Sequence, residues 1–266
     1  MTDIKIVDRV CFVEMQNPQK LNCLSAEMCN SIREALKQAY DNECCAVVLK
    51  AQCRNGVWSA GHDIRELPLD GTDPLAFNAP MEQMFHDIQN LPIPVIAYVE
   101  GTVWGGACDM CMSCDMIVAS DNATFAITPA KIGIPYNASG IMHFIRQLGP
   151  NKAREMFFTA QPLTANEALN VGMVNHVASK EELPALLEEK LLNPMRRNSI
   201  IAISAIKNQF NLLNRYSSAL PPEAFELLHG WRSKVYQGHD YKEGILSFLE
   251  KRTPNYTSKT IDLDKE

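Results

Sequence analysis

Two glycine-bearing turns hold the residues best placed for chemistry: Trp58-Ser59-Ala60-Gly61-His62-Asp63-Ile64 and Val103-Trp104-Gly105-Gly106-Ala107-Cys108-Asp109. Glycine lets the backbone take conformations that a Cβ forbids and leaves nearby N–H groups open to a ligand. If the chain enters a helix after Gly105, the unbonded N–H groups of its first turn and the positive end of its dipole face one point. Two such turns together can hold an oxygen that is becoming an anion. That arrangement is an oxyanion hole, in which one donor contributes roughly 2.7 to 4 kcal/mol of transition-state stabilisation.

The elements that must position these turns are legible as apolar runs. Ala46-Val47-Val48-Leu49 precedes the first turn and Pro94-Val95-Ile96-Ala97-Tyr98-Val99 the second. Upstream, Ile4 to Val7 and Val10 to Met15 are strand-like runs separated by Asp8-Arg9, a hairpin pattern. Asn17-Pro18 marks a loop, and Ser25 is expected to cap a helix reaching about Tyr40. A helix is expected from about Pro74 to Asn90, stopped by Pro92 and Pro94, and a buried one from Ala107 to Ser113. A strand from Met116 to Ala119 and a short segment from Thr124 to Ile127 follow. Strand and helix in alternation predict an α/β fold with a largely parallel sheet.

From Pro135 onward the pattern is helical. Ala138 to Leu148 and Asn151 to Thr159 read as two short helices, and Thr164-Ala165-Asn166-Glu167 is a capping box whose helix stops at Gly172. Met173 to Val177 is a candidate last strand. Helices are then expected over Glu181 to Leu192, Ser199 to Leu213, Pro222 to Tyr236 and Tyr241 to Glu250, with a polar tail from Thr253. The division expected is a core over residues 1–195 and a C-terminal helical region over 196–266.

A net charge of −6, with 25 Lys and Arg spread along 266 residues, leaves no basic stripe for nucleic acid. No apolar run approaches the roughly 20 residues of a membrane helix, and Met1-Thr2-Asp3-Ile4-Lys5 lacks a signal-peptide core, so a cytoplasmic protein is expected. Nine cysteines lie mostly in apolar runs and read as reduced core thiols. Cys108, Cys111 and Cys114 resemble part of an iron–sulfur motif, but no later cysteine completes it. The histidines show no H-E-x-x-H pairing, so no metal is expected.

These motifs, in their order and spacing, resemble the crotonase, or enoyl-CoA hydratase/isomerase, superfamily. The segments that carry the likeness are Asn17-Pro18 with Asn22-Cys23-Leu24, Ser59 to Ile64, Val99-Glu100-Gly101 with Trp104-Gly105-Gly106, Thr159-Ala160 with Ala168, Gly172 and Val174, and Phe248 to Arg252. The resemblance implies a spiral of ββα repeats with a C-terminal helical region, trimers or dimers of trimers, and an acyl-CoA substrate with no other cofactor. It places the oxyanion-hole N–H groups on His62 and Gly106 and implies that Ala60, Gly61, Asp63 and Ile64 also meet the acyl-CoA. Lys20 and Leu24 fall in the loop that flanks the adenine, and Lys251 and Arg252 at a position that reaches the coenzyme A portion.

The departures narrow the chemistry. Family hydratases use two glutamates, and here those positions read Asp109 and Pro129. Aspartate is shorter by one methylene, about 1.5 Å, and proline ionises nothing, so water addition is disfavoured. Decarboxylation of a malonyl-type thioester, with methylmalonyl-CoA giving propionyl-CoA as the favoured case, needs an oxyanion hole for the enolate and no strong base. The likeness is greatest to family members of that kind. In them a tyrosine hydroxyl orients the carboxylate; Gly133-Ile134-Pro135-Tyr136-Asn137 matches, which implies Tyr136, with Thr128 close to the thioester. The proton donor to the α-carbon stays open between Asp109 and water. The alternatives are an isomerase or weak hydratase and a non-catalytic acyl-CoA-binding homologue.

Overall fold

The structure is a computed structural model and describes residues 1–216 and 222–256. The chain opens with a hairpin of β1 (Thr2–Val7) and β2 (Val10–Met15), whose turn residues Asp8 and Arg9 both take positive φ, 46° and 64°. That matches the twist of antiparallel strands. Next come α1 (Ala26–Asp41), β3 (Ala46–Ala51), β4 (Val57–Ser59), α2 (Pro80–Asn90), β5 (Val95–Val99), β6 (Thr102–Trp104), α3 (Gly106–Ser113), β7 (Met116–Ser120) and β8 (Thr124–Ala126). A short 3₁₀ turn, Pro129–Ile132, leads to α4 (Ala138–Thr159), β9 (Leu163–Thr164), α5 (Ala165–Asn170) and β10 (His176–Ala178). The remainder is helical: α6 (Leu183–Leu187), a wider turn Glu188–Leu192, α7 (Asn193–Arg197), α8 (Ile200–Tyr216), α9 (Pro222–Tyr236) and α10 (His239–Leu249).

The strands divide between two sheets. The larger has the order β1-β2-β3-β5-β7-β10 and the smaller β4-β6-β8-β9. Each of the three successive pairs β3/β4, β5/β6 and β7/β8 gives its first strand to the large sheet and its second to the small one. Parallel pairing advances from turn to turn, with Val47 beside Val95, Ile96 beside Met116, and Thr102 beside Val57 and Thr124. This is the ββα spiral in physical form. Both glycine turns lie just after the small-sheet strands β4 and β6, so the parallel pairing brings them side by side.

The large sheet is covered on both faces, which is why β5 is an unbroken apolar run and buried throughout. Val47, Leu49, Val95, Ala97 and Val99 face one cluster with α1 to α3, and Ala46, Val48, Ile96 and Tyr98 face another with Leu183, Leu187 and Leu192. Ser25 caps α1, its Oγ accepting from the Met28 N–H at 3.2 Å. The capping box at Thr164 and Glu167 forms with both reciprocal hydrogen bonds.

Several boundaries differ from the sequence expectation, the helices expected over Ser199 to Leu213 and Tyr241 to Glu250 by one to three residues at each end. Helix α2 starts at Pro80, not Pro74, because Asp70 and Asp73 accept the N–H groups of Thr72 and Leu75 and hold that stretch in turns. The last strand is His176–Ala178; Met173 and Val174 instead donate to Ala168 O, at 2.8 and 3.2 Å, beyond Gly172. Helix α6 starts at Leu183, and helical backbone continues past Leu192 to Arg197. The two helices expected between Ala138 and Thr159 run together with a break at Gly149 (φ 72°, ψ 165°) before Pro150. Most of the polar tail, residues 257–266, lies outside the described residues.

The C-terminal helices return to the core. Helix α10 lies so close to the 3₁₀ turn that a Cβ on Gly244 falls 2.4 Å from Ile132 O, and one on Gly133 falls 2.6 Å from Asp240 O. Among the described residues no helix is long and apolar enough to cross a membrane.

Candidate active site

The first turn is braced by the loop before α1. Ala60 N donates to Leu21 O, Leu24 N to Gly61 O at 2.7 Å, and Asp63 N to Leu24 O. Asn22, wholly buried, donates to Trp58 O and Gln52 O and so locks the loop to β4. The second turn is held by Gly105 N donating to Ala126 O at 2.8 Å, after which α3 begins at Gly106.

Gly61 (φ 80°) and Gly105 (φ 52°) occupy the left-handed region, and a Cβ on Gly61 falls 2.4 Å from Trp104 O and 3.1 Å from Gly106 N. The two turns touch backbone to backbone, which no larger residue permits. A Cβ on Gly106 lies 3.6 Å from His62 N, so the two amide nitrogens are neighbours. Among the described residues neither N–H has a protein hydrogen-bond partner. Two unsatisfied donors at one point, one of them at a helix N-terminus, form an anion-binding position. Burial pushes the His62 imidazole down to about 4, so at neutral pH its side chain carries no charge.

A cavity of about 60 Å³ opens at this point, lined by Ala60, His62, Ile64, Leu67, Leu75, Met81, Gly105, Gly106, Thr128, Pro129, Ile132, Ile134 and Tyr136. Its walls carry hydroxyls from Thr128 and Tyr136 and no carboxylate. Pro129, where the resemblance implies the second glutamate of a hydratase, is buried in the wall. Ile64, Leu67, Ile132 and Ile134 pack against Tyr236, Tyr241 and Ile245, so α9 and α10 roof the cavity.

Tyr136 sits in the left-handed region at φ 58°, a strained place for an aromatic residue, and packs on Phe157 with ring centroids 5.3 Å apart. Its Oη donates to Asp109 Oδ2 at 2.5 Å. Asp109 is fully buried on α3 and lies behind Tyr136, outside the cavity lining. Its other oxygen meets His143 Nδ1 at 2.7 Å, and His143 Nε2 meets Gln89 Nε2 at 2.7 Å. Burial and Asp109 raise the Tyr136 phenol well above its usual range. Burial lowers His143 but Asp109 more than offsets it, so the imidazole is raised. Glu82, beside this group, is pushed up to about 7 by burial and by the charge of Asp109.

The other residues singled out in the sequence take different places. Asp63 forms a two-bonded pair with Arg65, at 2.8 and 2.7 Å, and caps the turn Ile64–Glu66; it does not line the cavity. Leu24 is fully buried, bracing the turn from below, whereas Lys20 in the same loop is exposed. Lys251 is exposed with φ 55°, and Arg252 is paired with Glu243 and Glu250. Cys108, Cys111 and Cys114 are buried in α3, where burial raises all three thiols. All nine cysteines are free, and no cluster of metal-ligand type occurs among the described residues.

Sequence reasoning passed over Met81, Glu82, Gln89 and His143. Met81 closes the cavity, its Sδ 2.8 Å from a Cβ placed on Gly106. His143 lies in the second turn of α4, whereas Tyr136 precedes that helix, and its partner Asp109 is 34 positions away. No spacing rule announces such a pair.

Comparison with known proteins agrees with this geometry. The chain is 39% identical over 254 residues to methylmalonyl-CoA decarboxylase of Escherichia coli (strain K12), covering 96% of this chain and 97% of that protein. It is 30% identical to a probable mitochondrial enoyl-CoA hydratase of Dictyostelium discoideum, covering 94% and 88%. A structure of methylmalonyl-CoA decarboxylase in complex with 2-nitronate-propionyl-CoA superposes with a TM-score of 0.93 at 38% identity, over 97% of this chain and 98% of that one. The Enoyl-CoA hydratase/isomerase family model matches residues 5–259, and on that match, with the spiral fold and the paired turns, the protein belongs to the enoyl-CoA hydratase/isomerase family.

Proposed function

We propose that the protein decarboxylates a malonyl-type CoA thioester, converting methylmalonyl-CoA to propionyl-CoA. The observation that carries this is the pair of unbonded N–H groups of His62 and Gly106 at a cavity whose lining holds no carboxylate. The thioester oxygen accepts from both. The C–C bond to the carboxylate breaks when it stands perpendicular to the thioester plane, and its electron pair flows into the carbonyl. The enolate oxygen then carries the charge, and two donors in an apolar site stabilise it by several kcal/mol, since one such donor contributes about 2.7–4 kcal/mol. The Tyr136 hydroxyl orients the departing carboxylate, and Thr128 sits beside the thioester. The carbonyl is itself the electron sink, so the reaction asks for no cofactor beyond the coenzyme A of the substrate.

Coenzyme A lies outside the acyl cavity, with Lys20 and Lys251 as cationic partners of its phosphates. The assembly is a homotrimer or a dimer of trimers, as the family resemblance implies. Nine free thiols fit the cytoplasm. A hydratase role is disfavoured: several relatives are named hydratases, but adding water needs two positioned carboxylates, and the cavity offers none.

The test is to incubate the protein separately with methylmalonyl-CoA, malonyl-CoA and crotonyl-CoA, following CO₂ release and loss of the enoyl absorbance. Release of CO₂ from the first with no hydration of the third is expected. Hydration of crotonyl-CoA without CO₂ from either malonyl thioester overturns the proposal.

A further inference from the structure

Behind Tyr136 the polar groups continue across the molecule. Tyr136 Oη, Asp109, His143 and Gln89 are joined by three contacts of 2.5, 2.7 and 2.7 Å. The two ends of this chain open in different places. Tyr136 lines the acyl cavity. His143 and Gln89 line a separate cleft of about 650 Å³ between α2, α3, α4 and α8, with Asn90, Arg146, Lys207 and Asn211 also on its walls. Asp109 lines neither and is fully buried between them.

A buried aspartate needs partners, and a tyrosine with an amide side chain can supply them without a group that titrates near neutral pH. Here one link is an imidazole whose far nitrogen reaches a cleft of mixed lining, with Ile206 and Phe210 beside Arg146 and Asn211. Gln89 suits both states of that ring: its NH₂ donates to a neutral imidazole, and its carbonyl, after a half-turn of the amide, accepts from an imidazolium. The geometry points to a proton path from the cleft through His143 and Asp109 to Tyr136, which protonates the enolate carbon once CO₂ has left. This rests on the decarboxylation proposed above and names the proton source for that site.

The step balances as follows. The pair of electrons left by the broken C–C bond forms the new Cα–H bond, and the proton comes from Tyr136 Oη. His143 Nε2, unprotonated in the neutral ring, takes a proton from water in the cleft, and the imidazolium so formed passes its Nδ1 proton through Asp109 to that oxygen, leaving a carboxylate and the neutral Nε2–H tautomer. Proton exchange of the ring with water returns it to the Nδ1–H tautomer before the next turnover. One substrate carboxylate charge departs as neutral CO₂ for each proton taken up. The charges facing His143 are arranged for this: Asp109 on α3 and Glu82 on α2 favour the imidazolium, while Arg146 on α4 and burial oppose it. His143 acts through Asp109 and Tyr136 and is a positioning residue; Tyr136 alone meets substrate.

By microscopic reversibility the same path accepts an α-proton from propionyl-CoA, so it can be read without decarboxylation. The experiment follows exchange of the α-hydrogens of propionyl-CoA in D₂O by NMR, and CO₂ release from methylmalonyl-CoA, for wild type, His143→Gln and Gln89→Leu. His143→Gln is expected to slow exchange by about tenfold or more, a modest share of the 10²–10⁴ of general acid–base catalysis, while CO₂ release falls by a smaller factor. It also removes the pH dependence of exchange that wild type shows. Gln89→Leu, which cuts only the cleft-side contact, gives the same ordering with a smaller loss. Equal losses in both activities, an unchanged exchange rate, or no exchange by wild type overturns the path. Absence of CO₂ from the wild type overturns the proposed reaction instead, and the exchange measurement still decides the path.

Discussion

On the cavity wall formed by His62 and Gly106 the polar groups are main-chain N–H groups, and on the wall formed by Tyr136 they are side chains linked one behind another. The first wall is fixed by backbone contact: Gly61 leaves no room for a Cβ against Trp104 O, and the parallel pairing of β4 with β6 sets the spacing. Its groups cannot titrate near neutral pH. Behind the second wall Tyr136, Asp109, His143 and Gln89 are joined by hydrogen bonds, with Glu82 beside them, and Tyr136, His143 and Glu82 have raised protonation equilibria. In the proposed reaction one wall holds charge on oxygen without changing its own, and the other exchanges protons. Such a network is costly to leave half satisfied, so its members are coupled in a way the two amides are not.

Removing one donor from the first wall has the largest expected effect. Gly106→Pro deletes an N–H at the first position of α3, where proline suits a helix, and lowers kcat for CO₂ release by about 10²–10³ while far-UV circular dichroism is unchanged. Retained turnover in a folded variant would show that this amide does not serve the reaction.

The second wall breaks by a methyl group. A Cβ on Gly140 falls 2.3 Å from Tyr136 Cε1 and 2.7 Å from Asp109 Oδ2, between the two bonded groups. Gly140→Ala is expected to lower kcat/KM by about tenfold and to destabilise by roughly 1–3 kcal/mol, the usual range for overpacking. Tyr136→Phe, which keeps the ring, is expected to reproduce the kinetic loss with less change in Tm. A kinetic loss seen only with Gly140→Ala would mean that packing, and not the hydroxyl, matters there.

The pH dependence of stability separates the walls more gently. Glu82 is raised from 4.5 to about 7 in the folded state, so the fold keeps a proton that the unfolded chain has lost. Its contribution is therefore complete below pH 4.5 and is lost as pH rises to about 7, on the order of 3 kcal/mol at most. His143, raised above 6.5, acts in the same direction: its contribution is complete below 6.5 and falls as pH rises through its folded value. Glu82→Gln is expected to raise Tm at pH 8 by several degrees and to flatten the decline between pH 4.5 and 7. A thermal melt series at constant ionic strength reads this, and an equal slope in the variant would rule it out.

The smallest effect lies outside both walls. Lys251→Ala is expected to raise KM for the acyl-CoA a few-fold with kcat nearly unchanged, because a phosphate contact is made equally in ground and transition states. Steady-state kinetics at two salt concentrations checks it, and an unchanged KM removes Lys251 from the coenzyme A site.

Legibility in the sequence follows the same division. Glycines mark the first wall because only they permit that backbone approach, and the apolar runs before them give β3 and β5. Tyr136 stands in the sequence motif, but its bond to Asp109 joins residues 27 positions apart, and the pairing of Asp109 with His143 spans 34. The shortened acid at position 109 reads in the sequence as a weakened catalytic carboxylate. In the fold it is a link that never faces the cavity, since α3 turns its side chain toward α4.

What the sequence determined by itself is what depends on neighbours in the chain: the capped helices at Ser25 and Thr164, the hairpin at Asp8-Arg9, the turns whose glycines must lack a Cβ, and the motif order that sets the family. What only the tertiary structure decided is which side chains meet across elements: the roof of Tyr236 and Tyr241 over the cavity, and the line from Tyr136 to Gln89. Local preferences act over three or four residues and are written in residue type. Contacts between α2, α3 and α4 arise only when burial of their apolar faces fixes the rotation of each helix, and that rotation is a property of the packed whole.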